Sequence, residues 1–135
     1  MQLSDLHVSD PLPEHNHTPT SVTLFMYNAS VWNPHRINYD ETYTTLIEKH
    51  PGIVIDGPLQ GDWLAQCVTN WVGDAGGMVR FSYSNRKATH LGETLVSGGK
   101  ITSINQASRQ VTVELFVKNA AGEITSPGSA VIELL

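Results

Sequence analysis

A single cysteine, Cys67, in 135 residues excludes an internal disulfide and leaves nothing from which to build a cysteine-based zinc cluster. Its place among apolar residues at helical spacing reads as a buried thiol. No apolar run approaches the ~20 residues that span a bilayer. The first residues lack the basic-then-apolar order of a secretion signal, so the expected location is the cytoplasm. Basic side chains are scarce: eight Lys and Arg against thirteen Asp and Glu give a formal charge of −5. Such a chain is not drawn to nucleic acid or to an anionic membrane. Neither a phosphate-loop pattern nor a dinucleotide fingerprint occurs, so no bound cofactor is expected. Charged residues make up only 16% and apolar residues 40%, the composition of one ordinary globular domain spanning residues 1–135.

Within that domain, Pro11, Pro13 and Pro19 predict a largely irregular lead-in over residues 1–20. Val22, Leu24 and Met26 alternate at period two, which predicts a strand from Ser21 to Tyr27. Asp40 is placed to cap a short helix running to about Lys49 and ended by His50-Pro51-Gly52. Gly57-Pro58 opens the longest predicted helix, where the missing N–H of Pro58 costs nothing. Leu59, Trp63, Leu64, Cys67, Val68, Trp71 and Val72 then recur at helical spacing, and Gly73 with Gly76-Gly77 stops the run. Gly61 offers a place for close backbone approach. Four β-rich stretches follow: Met78 to Tyr83, Glu93 to Ile104, Gln110 to Val117 and Ser129 to Leu134. One long helix beside a run of strands is an α+β pattern, and a curved antiparallel sheet around the helix would bury its tryptophans.

Two segments carry the chemistry. Trp32-Asn33-Pro34-His35-Arg36-Ile37-Asn38-Tyr39-Asp40 is polar and irregular; Val54-Ile55-Asp56-Gly57-Pro58-Leu59 runs into the long helix. A helix N-terminus directs unpaired backbone N–H groups outward and can hold a carbonyl oxygen on which negative charge develops. The first segment could supply side chains to the same pocket.

These segments, with His17-Thr18-Pro19-Thr20 and Leu91-Gly92-Glu93-Thr94, resemble in order and spacing the MaoC-like acyl-thioester hydratases and dehydratases of the hot-dog fold. The resemblance runs from about Pro11 to Leu135 and is nearest the mesaconyl- and itaconyl-type hydratase subset. It implies an α+β hot-dog domain, a curved antiparallel sheet wrapped around one central helix. It also implies addition of water to a 2-enoyl-CoA of the (R)-type, or the reverse dehydration of a 3-hydroxyacyl-CoA. CoA or an acyl carrier protein would enter as part of the thioester substrate. Pairing into a homodimer, or a heterodimer with another hot-dog subunit, is implied as well.

In such enzymes an Asp and, five residues later, a His form the acid/base dyad. Those positions fall here on Asn33 and Asn38, amides that cannot take a proton near neutral pH. Gly57 matches the position whose backbone N–H holds the thioester oxygen. The residue before it is Asp56, which in one reading takes over the proton work, alone or with His35. In the other, Asp56 satisfies only backbone N–H groups at the helix start. The catalytic candidates are thus Asn33, Asn38, Asp56, His35 and Gly57; substrate-binding candidates are Gly57, Pro58, Trp32 and Arg86. A competing function is a silent hot-dog subunit that completes the acyl tunnel of an active homologue. A thioesterase would need a carboxylate aimed at the carbonyl carbon, with Asp56 and Glu48 the nearby choices. Arg36 is expected to pair with a carboxylate. His15-Asn16-His17 has metal-ligand spacing without an evident third ligand.

Overall fold

A computed structural model describes residues 1–135. Five strands form one antiparallel sheet: β1 (Pro11–His17), β2 (Gly76–Tyr83), β3 (Leu95–Asn105), β4 (Gln110–Lys118) and β5 (Ile124–Leu134), in the order β1-β3-β4-β5-β2. Three α-helices accompany it: α1 (Ser21–Val31), α2 (Glu41–Leu46) and α3 (Gly57–Val72). The sixteen-residue α3 touches every strand and lies along the concave face of the sheet. This is the hot-dog arrangement.

The helix forms where the apolar period placed it. Pro58 stands in its first turn, and Gly73, at φ 52°, ends it with its N–H on the Thr69 carbonyl. Leu59, Trp63, Leu64, Cys67, Val68 and Val72 are buried against inward-facing Val111, Val113, Leu115 and Val117 of β4. Gly61 lets the ring of Tyr83 lie on the helix backbone; a Cβ there would overlap the ring. Cys67 is buried as expected, its Sγ near the Pro13 carbonyl at 3.5 Å, and burial pushes its thiol up.

Two expectations fail, both before residue 32. Pro11–His17 is not irregular but strand β1, paired antiparallel with β3. The prolines are tolerated because β1 is an edge strand, so a missing N–H on the open side removes no ladder bond. Ser21–Tyr27 is not a strand but most of α1. Thr20 Oγ1 accepts the Thr23 N–H and starts the helix, while Leu24 and Asn28, one turn apart, are its only buried residues. Val22, Phe25 and Met26 stay exposed, so the alternation does not mark a buried face. Boundaries also move: α2 ends at Leu46, short of Lys49, Gly76-Gly77 opens β2 instead of closing α3, β3 begins at Leu95 instead of Glu93, and β5 begins at Ile124 instead of Ser129.

The cap at Asp40 is as expected. Its Oδ1 accepts the Tyr43 N–H at 2.9 Å, and its Oδ2 takes Arg36 at 2.8 Å, the expected carboxylate partner. Tyr43 first, then Arg36, holds the Asp40 carboxyl below the usual range. A group with a depressed folded pKa stabilises above its unfolded pKa and loses that contribution as pH falls through the folded one. Asp40→Ala is therefore expected to speed amide exchange at Tyr43 severalfold at pH 7, the difference fading under acid. Equal exchange at both pH values would show that the cap does not hold α2.

Candidate functional site

The two segments singled out in the sequence meet at the start of α3. Asp56 is 1% exposed and makes no side-chain cap on α3. Its carboxylate turns instead toward two amides. Asn28 Nδ2, from α1, donates to Asp56 Oδ1 at 3.1 Å, and Asn33 Nδ2 donates to Oδ2 at 3.0 Å. Asn33 Nδ2 also lies 3.2 Å from Asn38 Oδ1.

Backbone anchors set each amide. Asn28 Nδ2 also donates to the Leu24 carbonyl at 2.7 Å. Asn33 Oδ1 accepts the His35 N–H at 3.1 Å, and Asn38 Nδ2 donates to the Val54 carbonyl at 2.8 Å. With oxygen and nitrogen ends fixed this way, both oxygens of Asp56 face donors. Burial pushes the Asp56 carboxyl above its ordinary range, against the opposing pull of the Asn33 and Asn28 N–H groups. A protonated His35 adds a smaller pull the same way. A carboxyl whose pKa is raised by burial is a stronger base than an exposed one, and once protonated can return the proton.

A pocket of about 380 Å³ opens beside this cluster. Phe25, Ala29, Trp32, Pro34 and Tyr39 form its walls. The amides of Asn28 and Asn33 are the other two lining groups, and Asp56 sits one layer behind them. Trp32 is 91% exposed and occupies the left-handed region at φ 56°, where it closes α1. Such a conformation is uncommon for a bulky residue; here it makes the left-handed cap, with the Trp32 N–H on the Asn28 carbonyl.

Across the N-terminus of α3, the Asn85 amide stands over Gly57 and fills the place a Cβ would take. Its Oδ1 takes the Ser126 hydroxyl at 2.9 Å; Ser126 also lies 3.0 Å from Gln60 Oε1, and Gln60 Nε2 donates to Thr89 at 3.0 Å. Glycine is required at position 57: a side chain there would collide with this tethered amide.

Of the sequence candidates, Asn33, Asn38 and Asp56 form one hydrogen-bonded cluster, with Gly57 next in chain. Trp32 lines the pocket, Pro58 is exposed in the first turn of α3, and the His35 side chain is exposed. Arg86 is exposed beside Asn85, with Nε on Ser84 at 3.0 Å. Glu48 is occupied with the Tyr43 hydroxyl at 2.8 Å. His17 stacks on Trp63, ring centroids 4.1 Å apart, and bonds Ser97. Sequence reasoning missed Asn28 and Asn85. Asn28 lay just beyond a segment read as a strand; only a helix from Thr20 brings it to Asp56.

The fold and motifs have named relatives. A family model for hydroxyacyl-thioester dehydratase type 2 matches residues 4–91. A hydroxyacyl-thioester dehydratase type 2 of Schizosaccharomyces pombe is 40% identical over 53 residues, covering 38% of this chain and 18% of that protein. A mesaconyl-C(4)-CoA hydratase of Chloroflexus aurantiacus is 44% identical over 41 residues, 30% of this chain and 15% of that one. The matched stretches are therefore less than a fifth of either relative. The structure superposes on an (R)-hydratase from A. caviae involved in PHA biosynthesis with a TM-score of 0.87, at 13% identity, covering 96% of this chain and 98% of that one. That likeness establishes the hot-dog fold, and with the family match over residues 4–91 the chain belongs to the hydroxyacyl-thioester dehydratase type 2 family.

Proposed function

We propose that this protein adds water to a 2-enoyl thioester, or removes it from a 3-hydroxyacyl thioester, with Asp56 as acid and base in place of the usual Asp/His pair. The observation that carries the reading is the buried Asp56 carboxyl, uninvolved in capping and held by Asn28 and Asn33 beside Gly57. In hydration, one Asp56 oxygen takes a proton from water as the water oxygen bonds C3. The double-bond electrons move toward the thioester oxygen, held by the Gly57 N–H at the helix start. The carboxylic acid then gives its proton to C2. Dehydration runs the same steps backward, and no cofactor is consumed.

The apolar walls formed by Phe25, Trp32 and Pro34 suit the acyl chain. Arg86 is proposed to meet phosphate of a CoA or carrier-protein arm. A second hot-dog domain, from another copy or a homologous subunit, would complete the tunnel over the exposed apolar side of α1. One observation favours a second reading: both dyad positions are amides, as in a silent subunit serving an active partner.

The test is loss of enoyl absorbance with crotonyl-CoA and with longer and branched enoyl-CoAs. Turnover by the purified chain is expected. Acyl-CoA binding without turnover on any of them would replace the enzyme reading with the silent subunit.

A further inference from the structure

Asn28 contains the one buried side-chain nitrogen or oxygen in the chain that lacks a partner, its Oδ1. The side chain is 6% exposed and lines the pocket. Both hydrogens of its Nδ2 are committed, one to the Leu24 carbonyl at 2.7 Å and one to Asp56 Oδ1 at 3.1 Å. Turning the amide over would set two acceptors 2.7 Å apart, so Oδ1 keeps its place. The oxygens of the neighbouring amides each have a donor. Asn33 Oδ1 takes the His35 N–H, and Asn38 Oδ1 takes Asn33. A buried acceptor without a donor is costly, and natural structures retain one where something else supplies the donor.

We propose that Asn28 Oδ1 accepts a hydrogen bond from the reacting oxygen: the attacking water in hydration, the C3 hydroxyl in dehydration. This rests on reading the pocket as a site for 2-enoyl and 3-hydroxyacyl thioesters. A water that enters between the Asn28 and Asn33 amides has two O–H bonds and two acceptors to give them to, Asn28 Oδ1 and the Asp56 carboxylate one layer behind. The hydrogen toward Asp56 is transferred as the water oxygen bonds C3. The hydrogen on Asn28 is the one the product hydroxyl keeps. In the reverse direction the acid form of Asp56 protonates the leaving hydroxyl, whose own hydrogen stays on Asn28, and water departs. Asn28 thereby selects a ligand that bears hydrogen on oxygen at C3.

Binding tests this apart from catalysis. Calorimetric affinities for 3-hydroxybutyryl-CoA and butyryl-CoA are compared in the wild type, in Asn28→Leu and in Asn28→Ser. Leucine keeps the volume; serine in a helix bonds the carbonyl one turn back, here Leu24, and keeps α1 while losing the reach of the acceptor. The wild type is expected to prefer the hydroxyacyl thioester by about tenfold or more, the scale of one buried hydrogen bond. Each variant is expected to bring the two affinities within twofold while holding butyryl-CoA as before. A role limited to packing would not move that ratio. No preference in the wild type, a preference kept in both variants, or no binding of either thioester overturns the proposal. A preference lost in the variants of a protein that turns over none of the enoyl-CoAs leaves Asn28 assigned and the hydratase reading refuted.

Discussion

Asp56→Asn is expected to lower turnover of a 2-enoyl thioester by about 10²- to 10⁴-fold, the span that a positioned acid/base group contributes. The fold should survive. Asn28 and Asn33 both donate to Asp56, so an asparagine there satisfies one and meets the other with an N–H. Either neighbour can release it, because Asn28 keeps Leu24 and Asn33 keeps Asn38. Unchanged turnover would remove Asp56 from the chemistry.

The same substitution has a pH signature. Burial raises the folded pKa of Asp56 above its unfolded value, ~3.9 for a free aspartate. Its favourable contribution is then fully present below the unfolded pKa and is lost as pH rises through the folded one. Above the raised folded pKa the wild type carries a buried charge that the substituted protein does not. Relative to the wild type, Asp56→Asn should gain stability as pH rises above about 4, read from urea midpoints at several pH values. A trend in the other direction would mean that the N–H groups of Asn33 and Asn28 outweigh burial.

How much of this was legible depended on whether local pattern and burial agree. In α3 they do: Pro58 fixes the first turn, Gly73 the end, and the apolar residues between are buried at helical spacing. In β4 the alternating Val111, Val113, Leu115 and Val117 all face the core. In α1 they part, because the apolar side chains that alternate in sequence stay outside, Phe25 among them at the pocket wall. The deciding signal there was a single hydroxyl, Thr20 Oγ1 on the Thr23 N–H. β1 hid behind its prolines, which only an edge position permits. The site shows the same division. Asp56 could be found because a carboxyl directly before a helix invites attention. Asn28 lies 28 residues away in sequence, and nothing short of the helix itself brings it to Asp56. The amides at 33 and 38 read as losses of chemistry; in the structure Asn33 donates to the carboxyl and Asn38 accepts from Asn33.

Leu64→Ala is expected to be the most damaging change to the fold, at about 3–5 kcal/mol, the upper part of the range for deleting a core leucine. Leu64 is fully buried on the middle of α3. It packs so closely on β5 that a Cβ at Gly128 would approach its Cδ1 to 3.1 Å. The cavity left by alanine cannot close easily, because sheet strands bonded to one another on both sides cannot move in singly. Leu64→Met, which keeps the volume, should cost less than about 1.5 kcal/mol. Thermal unfolding is expected to show the alanine protein melting roughly 10 °C or more below the wild type. Below that transition its turnover should be retained, since Asp56, Gly57 and their partners lie two turns away at the helix start. Asp56→Asn is expected to do the reverse, losing turnover with no fall in the melting point. If Leu64→Ala lost less than about 1 kcal/mol, the sheet would not be gripping the helix that positions Gly57, and the geometry of the site would need another support.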